Sequence, residues 1–195
     1  MEDVKRAMRI IARHALKTSK ELNRTQVEGF IDSILNSRRV FIMGAGRSGL
    51  VAKAFAMRLM HIGFDTYVVG ETVTPALKKG DVFVAVSGSG ETSSVVNAAK
   101  IAKKVGAKIV AITSFPKSSL GKVSHLVVEI PGRTKTESMT DFLHREIVGE
   151  YASLTPLGTL FEVGALIFLD GVVASLMRKL GKKEEELRER HATIE

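Results

Sequence analysis

The chain of 195 residues contains no cysteine and no tryptophan, with only two tyrosines and four prolines. Without cysteine there is no disulfide, no thiolate metal site and no cysteine nucleophile. The few aromatics are not interleaved with basic residues, which argues against a stacking platform for single-stranded nucleic acid. The net charge of +8 is spread from Lys5-Arg6 through Arg38-Arg39 and Lys78-Lys79 to Lys182-Lys183. Charge so dispersed suits a pocket for an anionic metabolite better than a nucleic-acid face. No continuous apolar run approaches the roughly 20 residues of a membrane span; the longest lies near Ala165–Leu169. The start, Met1-Glu2-Asp3-Val4-Lys5-Arg6, is charged and has no signal-peptide core. A cytoplasmic protein with neither nucleic-acid nor membrane partner is expected.

What is present is a core. Hydrophobic residues make up 45% of the chain, enough for one domain spanning 1–195. Helical spacing runs over Val4–Ser19 and again over Gln26–Leu35, so residues 1–36 read as a helical N-terminal extension. Thr25 and Glu28 have the spacing of a capping box for the second helix. Five short apolar runs then read as strands: Val40–Met43, Tyr67–Val69, Val82–Val86, Ile109–Ile112 and His125–Ile130. Helical stretches at Ser48–Ile62 and Ser93–Val105 separate them, and strand-helix alternation with unbroken apolar strands implies a parallel sheet covered on both faces. Residues 131–156 are mostly polar, with a faint helical pattern over 141–148. A long apolar helix, Leu160–Leu180, comes next and is expected to bury itself against the sheet and a second subunit. A charged helix over Lys182–His191 ends the chain.

Two junctions carry the chemistry. Gly44-Ala45-Gly46-Arg47-Ser48-Gly49 follows a strand and opens a helix, an arrangement that lets an anion approach backbone N–H groups. Its G-x-G-x-x-G pattern also occurs in dinucleotide sites, and Glu71 sits where such a site places an acid. The second junction, Ser87-Gly88-Ser89-Gly90-Glu91-Thr92-Ser93-Ser94, is crowded with hydroxyls at another strand-to-helix passage. A dinucleotide fold needs one phosphate loop, so the pair points to a sugar phosphate. Each loop alone reads equally well as a turn with helix-capping serines.

Together these loops resemble the sugar isomerase (SIS) domain. Further segments are similar to the 6-phospho-3-hexuloisomerase family within it: Phe55-Ala56-Met57-Arg58-Leu59-Met60-His61, Val69-Gly70-Glu71-Thr72, Pro156-Leu157-Gly158-Thr159-Leu160-Phe161-Glu162 and Arg190-His191-Ala192. The resemblance implies an α/β fold, a three-layer α-β-α sandwich around a five-stranded parallel sheet, flavodoxin-like, with N-terminal helices and a C-terminal helix. It implies an isomerase that moves a carbonyl between C3 and C2 of a ketose phosphate through an enediol, without a cofactor or metal. It further implies a homo-oligomer, a tetramer, with the tail reaching a neighbour's active site. The segment 134–153 is longer than the family pattern.

Such chemistry needs a base beside the carbonyl and an acid for the oxygens, roles suited to a carboxylate and an imidazole. Glu162, a lone carboxylate in the apolar sequence Leu160-Phe161-Glu162-Val163, is the candidate base, against the plainer reading of a solvent-facing helix residue. By resemblance, His191 is the candidate acid or shuttle, where composition alone reads a loose chain end. Ser48, Ser87, Ser89 and Thr92, with the backbone around Gly46, Gly88 and Gly90, are the expected phosphate ligands. Arg47 is expected to hold the sugar or phosphate. Glu91 is a secondary candidate, since helix starts attract acids anyway. His61, His125 and His144 read as structural. A sugar-phosphate-sensing regulator of the same fold would carry a helix-turn-helix domain ahead of the sugar domain, and about 39 residues before the first strand are too few for one. An isomerase of the arabinose 5-phosphate type is the nearest enzymatic alternative.

Overall fold

Apolar strands flanked by amphipathic helices leave one economical solution, a sheet buried on both faces, and the computed structural model has that form. It describes residues 1–132 and 155–189. Strands β1 (Val40–Gly44), β2 (Thr66–Val68), β3 (Val82–Val86), β4 (Lys108–Thr113) and β5 (Leu126–Glu129) form one parallel sheet in the order β2-β1-β3-β4-β5. The described helices are α1 (Glu2–Glu21), α2 (Arg24–Leu35), α3 (Gly46–His61), α4 (Ser93–Val105), α5 (Ser119–Val123), α6 (Thr159–Leu180) and α7 (Glu184–Glu189).

Successive strand residues point to opposite faces, and each face has its own core. Val40, Ile42, Val84, Val86, Val110 and Ile112 face a layer built from α2, α3 and α6, in which Phe30, Phe55 and Phe168 meet. Phe41, Phe83, Ala85, Ile109 and Ala111 face α4 and α5. Helix α1 lies outside, on α6, with only Thr18 fully buried. The α-β-α sandwich expected from the sequence is therefore observed.

Helix α6 has the length and apolar composition of a membrane span, with a mean hydropathy of 1.9 in its most apolar window. No unbroken apolar run announces this in the sequence, because Glu162 and Asp170 interrupt it. Packing accounts for the composition: Phe161, Ala165, Leu169, Val173 and Leu176 are buried in the core.

At the far edge of the sheet from the two junctions, the Asp81 side chain is completely buried between Arg38 and Arg39. The Arg39 Nη2–Oδ2 distance is 2.7 Å, and the Lys78 backbone N–H donates to the same oxygen at 2.7 Å. Burial alone would raise the Asp81 carboxyl. Donors from Arg39, Lys78 and Arg38 outweigh it and hold the group below its ordinary range.

Three expectations need correction. Helix α2 starts at Arg24 and is capped by Asn23, whose side chain accepts from the Gln26 N–H at 3.1 Å. Thr25 therefore already lies inside the helix, and Glu28 pairs with Arg24 at 2.7 Å instead of closing a capping box. Helix α3 starts at Gly46, so Arg47 and Ser48 belong to its first turn rather than to a loop. Helix α5 has no counterpart among the expected elements: five residues containing Gly121 carry no readable period. The expected segments 134–153 and 141–148, with His144, and the tail holding His191, lie outside the described residues.

Candidate active site

Gly44 and Val86 are register partners at the carboxyl ends of β1 and β3. The two junctions thus begin side by side where the strand order reverses, the crevice in which open α/β sheets hold ligands.

The first junction is as short as it can be. Strand β1 ends at Gly44, Ala45 is the N-cap and α3 begins at once. A Cβ on Gly44 would lie 2.5 Å from the Ser48 carbonyl oxygen, closer than any real contact, so only glycine lets the helix sit directly on the strand end. Ala45 has no side-chain oxygen to cap α3, which leaves first-turn N–H groups for an anion.

The second junction is longer and internally bonded. The Ser87 hydroxyl, 2% exposed, accepts from the Gly90 N–H at 3.2 Å and lies 3.1 Å from the Thr92 hydroxyl. The Ser89 hydroxyl accepts from the Glu91 N–H at 3.2 Å. At the end of β4, Thr113 Oγ1 and the N–H of the following Ser114 both donate to the Gly88 carbonyl. The Glu91 carboxylate turns away to accept from the Ser119 N–H at 2.8 Å. Donors from Ser119, with Lys122 nearby, hold the Glu91 carboxyl below its ordinary range. Helix α4 has no side-chain cap, because Thr92 at the N-cap spends its hydroxyl on Ser87.

Helix α6 supplies the third wall. Its Gly158 N-cap turns the chain, and Phe161 packs its ring on the second junction, where a Cβ on Gly88 would lie 2.9 Å from it. The neighbouring Glu162 has 13% side-chain exposure and forms an ion pair with Arg47. A cleft of about 160 Å³ results, lined by Ser48, Gly88, Ser89 and Thr92 from the junctions and by Phe161 and Glu162 from α6. It joins hydroxyls, two helix starts and one carboxylate, the groups needed to hold an anion beside a base. A larger cavity of about 370 Å³ opens between α1, α2 and α6, but among the described residues no charged or imidazole side chain lines it.

The expected site residues are thus sorted. Ser48, Gly88, Ser89, Thr92 and Glu162 meet at the cleft. Arg47 lines a separate groove on the other side of Glu162, with Leu50 and Leu166. Ser87 lies beneath the loop, Glu91 faces α5, and Gly46 opens α3 with φ 56°. Glu71, the acid of the dinucleotide reading, pairs with Lys53 at 2.6 Å. His125 accepts from the Ile109 N–H at 2.8 Å, and burial, then Lys103 and Lys108, holds it below its ordinary range. His61 is buried at the end of α3. Sequence reasoning missed Phe161 and Gly158 as parts of the site, although the turn Pro156-Leu157-Gly158 ahead of an apolar helix was their visible signal.

Residues 33–145 match the family model of the SIS domain. An uncharacterized protein of Aeropyrum pernix is 49% identical over 194 residues, covering 97% of this chain and 92% of that protein. The 3-hexulose-6-phosphate isomerase of Bacillus subtilis is 41% identical over 174 residues, 89% of each chain. A solved structure from Methanococcus jannaschii, with an inferred function of 3-hexulose-6-phosphate isomerase, superposes with a TM-score of 0.80 at 35% identity. It covers 96% of this chain and 98% of that one. Shared length, shared fold and shared sequence agree: the chain belongs to the 3-hexulose-6-phosphate isomerase family of SIS-domain proteins.

Proposed function

We propose that the protein interconverts D-arabino-3-hexulose 6-phosphate and D-fructose 6-phosphate, with Glu162 as the carbon base. The observation that carries this reading is the cleft in which Glu162 faces Ser48, Ser89 and Thr92. The phosphate binds to these hydroxyls and to the N-termini of α3 and α4, where aligned N–H groups favour an anion. Anchored there, the sugar extends toward α6.

The reaction is a proton shuttle. Glu162 takes the proton from C2 of the 3-ketose, O3 gains a proton, and a 2,3-enediol forms. Loss of the O2 proton and protonation at C3 complete the shift of the carbonyl to C2. The oxygen protons need a second group, and by family resemblance His191 serves. The assembly is a homo-oligomer, a tetramer, in which the tail bearing His191 completes a neighbour's site. Its support here is exposed apolar surface on α3 and α6: Leu50 is 67% exposed and Ile167 52%, with Met57 and Met60 also exposed.

Glu162→Gln preserves size but removes the base. Turnover, read as fructose 6-phosphate formation, is expected to fall by about 10²–10⁴-fold while substrate binding is retained. Full activity in that variant overturns the assignment. Arabinose 5-phosphate serves as the control substrate for the nearest alternative.

A further inference from the structure

Arg47 is expected from the sequence to hold the sugar or its phosphate. The geometry gives it a different role, and we propose that Arg47 is a positioning residue, which holds the Glu162 carboxylate with one oxygen turned to the substrate. The inference rests on the reading of Glu162 as the base.

Three observations carry it. Arg47 Nε donates to Glu162 Oε2, its one hydrogen bond among the described residues. The other oxygen, Oε1, is the nearer of the two to Gly158, where an added Cβ would stand 3.1 Å from it and 3.7 Å from Oε2. Gly158 borders the hydroxyl-lined cleft, and Arg47 does not. Glu162 lines both cavities and so stands as a partition, its Oε2 tied from the groove of Leu50 and Leu166 and its Oε1 on the Gly158 side. Arg47 reaches that groove because α3 starts immediately after β1, which puts residue 47 in the first helical turn. Its side chain is 62% exposed, so among the described residues the ion pair with Glu162 is the main restraint on its orientation.

A glutamate in the first turn of a helix has several rotamers, and only some direct an oxygen at the cleft. The guanidinium restrains the rotamer by holding Oε2 from the groove side, with an N–H whose direction is set by its planar group. Lysine places a charge at the same spot without a donor of fixed direction. Loss of the arginine leaves the phosphate contacts of Ser48, Ser89 and Thr92 intact. The damage belongs in turnover, not in binding.

The test compares wild type, Arg47→Ala, Arg47→Lys, Glu162→Gln and the double variant Arg47→Ala/Glu162→Gln. Two readouts are taken: kcat and KM for fructose 6-phosphate formation, and the Kd of inorganic phosphate by titration calorimetry. Arg47→Ala is expected to lower kcat by about 10–100-fold with phosphate Kd changed less than about twofold. Arg47→Lys should recover part of kcat, as should added guanidinium ion with the alanine variant. In the double variant the losses should not multiply, because a positioning residue has nothing to position once the base is gone. A weaker phosphate Kd with kcat unchanged in Arg47→Ala makes Arg47 a phosphate ligand and overturns the proposal. So does a kcat equal to wild type, or a double variant whose losses multiply. An active Glu162→Gln enzyme removes the base assignment itself, an outcome read from that variant alone. Thermal unfolding of each variant verifies the fold.

Discussion

The two strand-to-helix junctions lie next to each other on the sheet and do opposite things with their residues. The first has almost no loop: backbone presses on backbone from Gly44 to Ser48, and the useful side chains project from a helix that has already begun. The second interposes six residues between β3 and α4 and ties them with hydrogen bonds, by hydroxyls to one another and to β4 and by the Glu91 carboxylate to α5. A short junction fixes its side chains through helix geometry. A long one must be fixed by its own hydrogen bonds, and some of its polar groups are then spent on structure. Of the two serines and one threonine among these six residues, Ser87 is spent in this way and lies off the cleft, whereas Ser89 and Thr92 line it even though the Thr92 hydroxyl bonds Ser87.

This contrast can be broken most severely at Gly44. Gly44→Ala forces the first turn of α3 off the strand end and is expected to destabilise the protein by about 3 kcal/mol, read from urea unfolding. A variant as stable as wild type would mean that the junction yields easily, and the contrast would lose its first half. Within the second junction, the sharper comparison is between two serines. Ser89→Ala is expected to weaken inorganic phosphate binding by about 1.5–3 kcal/mol at little cost to stability. Ser87→Ala is expected to do the reverse, leaving the buried Gly90 N–H without its side-chain acceptor at a cost of about 1–2 kcal/mol of stability. Calorimetry and unfolding on the same pair separate the two roles, and equal effects on phosphate binding would erase the distinction.

The smallest effect belongs to Glu91. Its carboxyl is held below the ordinary value of 4.5 by donors from Ser119. The depressed folded-state value makes its stabilisation present above the unfolded value and lost as pH falls through the folded one. Glu91→Gln should therefore narrow its stability difference from wild type as the pH falls below about 4.5. Melting curves across that range check it. A constant difference would mean that the Ser119 contact does not sense the charge.

How far the sequence could be read depends on the range of the interaction. Strand β3 and helix α4 match their expected bounds, because unbroken apolar residues and helical spacing are local signals. The start of α2 misled, since Asn23 and Thr25 are both good caps and only the three-dimensional chain chooses between them. The cleft hydroxyls were legible as a composition, but which of them faces it was not: Ser87 and Ser89 stand two residues apart in the loop after β3 and differ in what their hydroxyls meet there. Arg47 and Glu162 are 115 residues apart, and no local pattern couples them. Glu162 itself stood out because a carboxylate in an apolar helix is costly unless it is paired or functional.

The Phe161 ring, wedged on Gly88, works as a ruler. It touches the second junction and is covalently next to Glu162, so in the proposed reaction the span between anion and base is measured through one aromatic side chain. Each residue added to a helix rotates the remainder of that helix by about 100°. An insertion between Phe161 and Glu162 would swing the carboxylate out of the cleft, whereas an equal insertion beyond Gly181, past the end of α6, would leave that span untouched. Drift in chain length is thus tolerable at the end of the helix and forbidden across a single peptide bond.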